Sequence, residues 1–532
     1  LAGAALQLLK ELHCALKKIF FSRCKARASM RFSLKDHLAS FNALDFWQQD
    51  DRRVTYGELI LMVNEASAML RDRGVAEGAI VALYGLSKFD TIIIFLACLV
   101  NRQVLLPLNH REAREEIWRE ARFHTGVQVL ITPNASESEL GPQPEDCIAR
   151  HHLGRRGFGW NMLFFKPRFA QNQQRCAVEM SQLMSLPDEA ALIIFTSGSS
   201  GERKGVVHSF SSLYYSALGS IEFYGMNRND RSMLSLPLFH IGGIMIIVRA
   251  LLCGATLINA RDESLSPEDI SASGTTILSL VPTQLHRILG VLRHYGEGKD
   301  RTLQFKALRV VLVGAGAVTK DQLMKASEYG MPLSVTYGSS ETCAQLTATS
   351  PGQNRSDPSF IGEVLPYREV EIEGGSLLIK GKTLFMGYLA KGRFFTPFDE
   401  NGWFHAPDKI SYDPQRRGYE FRGRSDDVVK IAGENISLGE IERACGECVS
   451  LDMLFKVFAV FHAEYGMSPV LLLMGGDRPD PIKLKNQLEQ RLTGLKRPAA
   501  VYWASGTEQN GYKLTPGECQ RIIDHPRTDR LL

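Results

Sequence analysis

The segment Thr196-Ser-Gly-Ser-Ser-Gly-Glu-Arg-Lys-Gly205 carries the densest chemistry in the chain. Its glycines free the backbone to wrap closely, its hydroxyls donate hydrogen bonds, and Lys204 adds a cation. Those are the parts needed to hold a polyphosphate. A Walker A loop is excluded, because that motif requires GxxxxGK[ST] and here Lys204 precedes Gly205. The same composition would also suit a plain surface loop. Placement directly after the apolar run 191–195, together with the lysine, favours phosphate.

Further short motifs follow in order. They are Gly314-Ala-Gly316 after the apolar run 309–313, Tyr337-Gly-Ser-Ser-Glu341, Gly402-Trp-Phe-His-Ala-Pro-Asp408, Gly423-Arg-Ser-Asp426 and Asn510-Gly-Tyr-Lys513. Taken singly each has a dull explanation: Glu341 a solvated carboxylate, Asp408 a turn residue, Lys513 one surface lysine among many. Their order is what carries weight. The first string resembles TSGTTGxPKG, and the rest are similar to YGxTE, GWFxTGD, GRxD and the lysine motif of the adenylate-forming superfamily of acyl-CoA synthetases, luciferases and peptide-synthetase adenylation domains. The resemblance runs from about Asp36 to Arg521.

That resemblance implies a division of labour. Thr196, Ser197, Gly198, Ser199, Ser200, Gly201 and Lys204 would hold the phosphates of ATP. Gly314, Ala315 and Gly316 would turn around the adenine, with Tyr337, Gly338 and Ser340 beside it. Glu341 would bind Mg²⁺, Asp408 and Arg424 the ribose, and Asp426 would be the hinge of a mobile small domain. Lys513 would be catalytic in adenylation, with residues 428–435 lining the approach of coenzyme A. Two departures stand out: Ala406-Pro407 replaces Thr-Gly before Asp408, and Ser340 replaces Thr while keeping the hydroxyl.

The chemistry needs these groups for an electrostatic reason. A carboxylate with a pKa of about 4 is already ionised and requires no base. The obstacle is bringing that anion to a negatively charged α-phosphate, so catalysis rests on positioning and charge neutralisation. Thiol attack on the acyl-adenylate does not need Lys513.

The acid is suggested by Leu236-Pro-Leu-Phe-His240, the apolar run 241–249 ending in Arg249, Leu280-Val-Pro-Thr-Gln-Leu-His-Arg287 and Met386-Gly-Tyr388. These resemble the acyl-pocket region of the o-succinylbenzoate–CoA ligases of menaquinone biosynthesis. A second carboxylate on such a substrate would want an arginine, and Arg249 is the first candidate with Arg287 the second. Either arginine could instead cap a helix or reach solvent. His240 is a candidate catalytic and substrate-gating residue, or else a hydrogen-bonded core histidine. Fatty acyl-CoA or aryl-acid-activating ligases remain alternatives, as does an inactive nucleotide-binding homologue.

These residues need a scaffold of ordinary globular character. The chain has 532 residues, 44% hydrophobic and 23% charged, too long for one core. A net charge of +4 argues against a nucleic-acid partner. The scattered cysteines suit a reducing cytoplasm; Cys445-Gly-Glu-Cys448 reads as two buried thiols, since a lone CxxC is a poor zinc site. No run reaches the roughly 20 apolar residues of a spanning helix, so membrane insertion is not expected. The partners implied are small molecules, with a homo-oligomer left open.

Alternating helix and strand patterns imply an α/β fold with mostly parallel sheets. Thr55 and Glu58 form a capping box for a helix over 55–74, with Leu59, Met62, Ala66, Met69 and Leu70 on its apolar face. Strands are expected at 80–84, 104–107, 191–195, 232–236, 276–280 and 309–313, and a helix near 90–100. Residues 142–181 read as a long surface connection. After Gly423 the pattern changes to two strands, 457–461 and 469–474, and a helix opened by Pro481 with Leu484, Leu488 and Leu492 on one face. The expected organisation is a large multi-subdomain α/β domain over 30–424 and a small mobile α+β domain over 425–532. Residues 1–29, basic and amphipathic, read as an upstream extension with Met30 as the start, the alternative being a targeting segment.

Overall fold

The computed structural model describes residues 37–112, 114–127, 129–133, 147–155, 158–165, 189–197, 203–260, 265–296, 305–424, 428–431, 434–449, 453–462, 466–505, 516–526 and 528–532. Thr55 opens the helix Tyr56–Asp72 as its sequence requires. The Thr55 hydroxyl accepts from the Glu58 amide at 3.2 Å, and the Thr55 amide donates back to the Glu58 carboxylate at 2.8 Å. Two amides that a helix start would orphan are thereby satisfied. Leu59, Val63, Ala66 and Leu70 are buried on one face, whereas Met62 and Met69, expected there, lie half-buried on its flank.

The expected strands form at Ile80–Leu83, Val104–Pro107, Ala190–Ser197, Arg231–Leu234, Ile277–Leu280 and Val310–Val313. They belong to two large sheets, each parallel at its centre. In the larger, Leu333–Tyr337, Val310–Val313, Ile277–Leu280, Arg231–Leu234, Thr256–Asn259 and Asp45–Gln49 run parallel in that spatial order. Antiparallel strands continue it beyond Leu333–Tyr337, through Thr347–Ala348, Phe360–Val364, Gly418–Arg424 and Phe404–Asp413. In the smaller, Ala190–Ser197 joins Val104–Pro107 in parallel and then pairs antiparallel with Arg203–Ser209, which pairs in turn with Gly387–Ala390.

The central strands are short Val/Ile/Leu runs because both of their faces are covered. Helices Lys88–Val100, Phe210–Tyr224 and Ile241–Cys253 supply Phe95, Leu213, Ile244 and Ile247 to one core that also holds Leu105 and Ile194 of the smaller sheet and Leu257 of the larger. The two sheets therefore clasp a shared helical layer. Among the described residues, no helix is long and apolar enough to cross a membrane.

The reading of 142–181 as a surface connection is corrected for 147–155 and 158–165; the rest of that stretch lies outside the described residues. Cys147–Arg155 and Phe158–Phe165 form an antiparallel pair, and the second strand joins the smaller sheet through Val129–Pro133. Phe158–Phe165 is covered on both faces, with Trp160 and Met162 in one core at 1% and 0% exposure and Leu163 in another at 7%. A strand covered on both faces reads as a nearly continuous apolar run, and that run outweighs the polar residues around it.

Beyond residue 424 come a hairpin, Val428–Ile431 with Glu434–Ser437, and a four-stranded sheet of Leu454–His462, Gly466–Met474, Ala500–Ala504 and Thr528–Arg530. Asp480 caps the helix Pro481–Arg491, from which Leu484 and Leu488 enter a core with Ile441, Val457, Leu471 and Val501. Cys445 is buried and Cys448 half-buried, both as free thiols.

Candidate active site

The site gathers where the parallel strands of the larger sheet end, the place where open α/β sheets bind ligands. Val310–Val313 leads directly into Gly314, and Leu333–Tyr337 ends on Tyr337. A Cβ on Gly314 would sit 2.4 Å from the Thr336 hydroxyl, so only glycine permits that turn to lie against the neighbouring strand. Ala315, Cys343 and Ala344 adopt left-handed conformations, with φ of 63°, 55° and 81°. Such strain, of about 1–3 kcal/mol each, clusters at functional sites. Gly338 is equally constrained, its missing Cβ 2.1 Å from the Ala344 carbonyl oxygen.

Tyr337 donates a 2.6 Å hydrogen bond from its hydroxyl to Asp408 Oδ2. Asp408 Oδ1 lies 3.4 Å from an Arg424 guanidinium nitrogen, and its side chain is only 6% exposed. Pairing of Phe404–Asp413 with Gly418–Arg424 places Asp408 directly opposite Arg424. The Phe421 ring packs 5.7 Å from that of Tyr337. Burial and the adjacent Asp408 carboxylate raise the Tyr337 pKa well above its usual value. The phenol therefore stays a donor. Three residues from three separate motifs meet here.

Glu341 lies on the loop just past Tyr337. Its Oε1 accepts a 2.8 Å hydrogen bond from the Tyr388 hydroxyl, and its main-chain oxygen accepts from the Phe385 amide at 2.9 Å. The ammonium of Lys204 lies over the Tyr388 ring, 5.4 Å from its centroid. The strand pairing opposes Thr196 to Lys204, whose main-chain oxygen accepts from the Thr196 hydroxyl at 3.4 Å. Ser340 accepts the Cys343 amide through its main-chain oxygen, closing a turn around Glu341. One oxygen-donor carboxylate beside a lysine suits Mg²⁺, which takes one or two protein carboxylates and fills its shell with water and phosphate oxygens. Among the described residues no cluster of three or more His, Cys, Asp and Glu could hold a metal by itself.

His240 sits at the N-cap of Ile241–Cys253, exposed and without a side-chain cap bond. The core-histidine alternative is thereby excluded. Its ring packs 4.6 Å from Phe239. Arg249, on the same helix, is buried at 5% exposure. It reaches Gln345 Oε1 at 3.4 Å and Ser279 Oγ at 3.3 Å. Among the described residues no carboxylate lies within ion-pairing distance, and burial pushes the guanidinium pKa down to about 10. It remains charged at neutral pH. Arg287 is half-buried on Pro282–Gly296.

Gly198, Ser199, Ser200, Gly201, Asp426 and Lys513 lie outside the described residues, as does the side chain of Ser197. Two contacts went unread in the sequence. One is Tyr388 with Glu341 and Lys204. The other is the two-pronged pairing of Arg203 with Glu112, in which one nitrogen–oxygen distance is 3.1 Å. Asn109 also donates to Glu112 at 2.9 Å. The only sequence signal was an arginine where the motif TSGTTGxPKG carries proline.

The profile of the AMP-binding enzyme family matches residues 34–389. The 2-succinylbenzoate–CoA ligase of Enterococcus faecalis is 29% identical over 338 residues, covering 60% of this chain and 67% of that one. The ligase of the same name from Geobacillus kaustophilus is 27% identical over 503 residues, covering 90% and 95%. Among solved structures, o-succinylbenzoate-CoA synthetase (MenE) from Bacillus subtilis, in complex with the acyl-adenylate intermediate OSB-AMP, superposes with a TM-score of 0.70 at 20% identity, covering 93% of this chain and 99% of that one. At that identity the likeness speaks for the fold.

Proposed function

The chain belongs to the AMP-binding enzyme family, and on that premise we propose that it is an ATP-dependent acid–CoA ligase acting on 2-succinylbenzoate. The reaction is 2-succinylbenzoate + ATP + CoA to 2-succinylbenzoyl-CoA + AMP + diphosphate, through the acyl-adenylate. The observation that carries the choice of acid is Arg249, a buried guanidinium without a carboxylate partner among the described residues. A buried charge left unpaired is costly. A dicarboxylic acid that sends one carboxylate to the reaction and the other to Arg249 supplies the missing partner. The names of the relatives point the same way.

In this reading Asp408 accepts from the ribose hydroxyls with Arg424 beside it, and Tyr337 packs along the adenine near Gly314, Ala315 and Gly316. Lys204 neutralises phosphate charge, with Thr196 to Gly201 around it, and Glu341 offers the carboxylate for Mg²⁺. The ion, when bound, lowers the repulsion between the acid anion and the phosphates. His240, exposed at the N-cap of Ile241–Cys253, gates entry of the acid, and Arg287 is a second cation for it. Lys513 stabilises the α-phosphate during adenylation. Residues 425–532 form a small domain that turns about Asp426, so that one arrangement adenylates and the other admits coenzyme A. A cytoplasmic setting supplies ATP and coenzyme A.

The test is a panel of acids in a diphosphate-release assay. 2-Succinylbenzoate should exceed benzoate and medium-chain fatty acids by at least about 100-fold in kcat/KM, the expected effect of leaving a buried polar group unpaired. Preference for a fatty acid would overturn the substrate while leaving adenylate formation standing. Release of ADP and phosphate would overturn both.

A further inference from the structure

We infer that Tyr388 is a positioning residue that sets the affinity for Mg²⁺·ATP by holding Glu341 and Lys204 on two different parts of one side chain. The inference rests on the proposed nucleotide role of those two residues and names the group that organises them. Tyr388 belongs to the strand Gly387–Ala390, where it is paired with Val206 of Arg203–Ser209. Residues two apart on a strand share a face. Lys204 therefore projects on the same side as Val206, within diagonal reach of Tyr388, and its ammonium settles over the phenol ring at 5.4 Å from the centroid.

The hydroxyl does the other half. It donates to Glu341 Oε1 at 2.8 Å, and among the described residues Glu341 Oε2 accepts no hydrogen bond. One carboxylate oxygen is thus fixed and the other left to face a cation. The ring itself cannot swing, because Phe385 packs edge-on at 4.8 Å and Phe395 lies at 5.5 Å. The Phe385 amide also binds the Glu341 main-chain oxygen, so residues 385–388 grip both ends of that glutamate. The carboxylate that Tyr388 meets is thus oriented before any ligand arrives. Such preorganisation is what a site for developing or concentrated charge requires.

The two contacts separate by substitution. Tyr388→Phe keeps the ring and removes the hydroxyl; Tyr388→Leu removes both. For Tyr388→Phe, the Mg²⁺ concentration giving half-maximal diphosphate release should rise about tenfold, the worth of one hydrogen bond to a charged group. The KM for the acid, and ATP binding measured calorimetrically without Mg²⁺, should stay within about twofold. Tyr388→Leu should in addition weaken Mg²⁺-free ATP binding about threefold, and that extra loss should vanish in a Lys204→Ala background. A Tyr388→Phe enzyme with an unchanged Mg²⁺ requirement overturns the proposal, and so does one that loses Mg²⁺-free ATP binding to the same degree. These outcomes can be read from Tyr388→Phe alone should the leucine variant fold poorly. A wild-type chain that binds no ATP overturns the nucleotide reading as well, whereas a wild-type chain that forms AMP alongside an unaffected Tyr388→Phe overturns only the role of Tyr388.

Discussion

The Tyr337 hydroxyl and the Asp408 carboxylate meet at 2.6 Å, joining the end of a parallel strand to the middle of an antiparallel one. The bond ties an aromatic face to a nearly buried anion that also lies beside Arg424. Adenine and ribose would thus be read by one connected unit.

That unit gives the first prediction. Asp408→Asn removes the anion beside Arg424 and leaves the ribose without that charged acceptor. The KM for ATP should rise by about 30- to 100-fold, as hydrogen bonds to charged groups are worth about 1.5–3 kcal/mol. Tyr337→Phe loses a single donor and should raise it by about fivefold. Steady-state kinetics with ATP varied checks both, and the KM for the acid should not move.

Glu112 and Arg203 give the second. Residues 91 apart in sequence form a two-pronged pair at the start of the strand carrying Lys204. Glu112 is itself held, through Asn109 on its carboxylate and the Tyr84 hydroxyl on its main-chain oxygen at 2.8 Å. Glu112→Gln should lower unfolding free energy by roughly 1 kcal/mol, as expected for a partly exposed pair. It should also raise the KM for ATP severalfold. The exchange Glu112→Arg with Arg203→Glu should recover most of both losses in urea melts and kinetics. No recovery of the KM would mean that Arg203 meets the nucleotide itself.

Contacts of this kind mark the boundary of what could be read from sequence. The capping box at Thr55 and the strand before Thr196 follow from residues a few positions apart, where local sterics and hydrogen bonding decide. The Tyr337, Asp408 and Arg424 cluster was legible only because three motifs each named a ribose or adenine role; their mutual hydrogen bonds were not. Lys204 over Tyr388 depends on which strand pairs with Arg203–Ser209, and the period of side chains along one strand does not say what its neighbour will be. The pair Cys147–Arg155 and Phe158–Phe165 was missed because the surrounding Pro, Arg, His and Gln were weighed as loop composition, although residues 160–165 are apolar at every position but Asn161, the signal of a strand covered on both faces.

His208 yields the third prediction. It is fully buried on Arg203–Ser209, and burial pushes its pKa from 6.5 down to about 3, against a smaller opposing pull from the Ser340 main chain. The unfolded chain binds a proton below about pH 6.5 and the folded one does not until about 3. Stability from this group is therefore complete above pH 6.5 and declines as pH falls toward 3, at a limiting slope of about 1.4 kcal/mol per pH unit. His208→Gln should flatten the pH dependence of urea unfolding between pH 6.5 and 5, above the range in which carboxylates titrate. An unchanged slope would place the acid sensitivity elsewhere.

Arg249 separates a binding role from a structural one most sharply. Its guanidinium is buried and, among the described residues, makes two long contacts, to Gln345 and Ser279, and it carries its charge at a cost that no described carboxylate offsets. If that charge served folding alone, removing it would harm the fold. Arg249→Met keeps most of the apolar stem and deletes the buried charge, so the variant should be as stable as the wild type or more so by about 1–2 kcal/mol. The same variant should lose at least about 100-fold in kcat/KM for 2-succinylbenzoate, because the second carboxylate would enter a pocket with nothing to meet it. A monocarboxylic aromatic acid should be turned over no worse than before, or better. Thermal melts and acid-varied kinetics on one preparation decide the matter: a destabilised variant with parallel losses on both acids would make Arg249 a structural arginine and return the choice of substrate to Arg287.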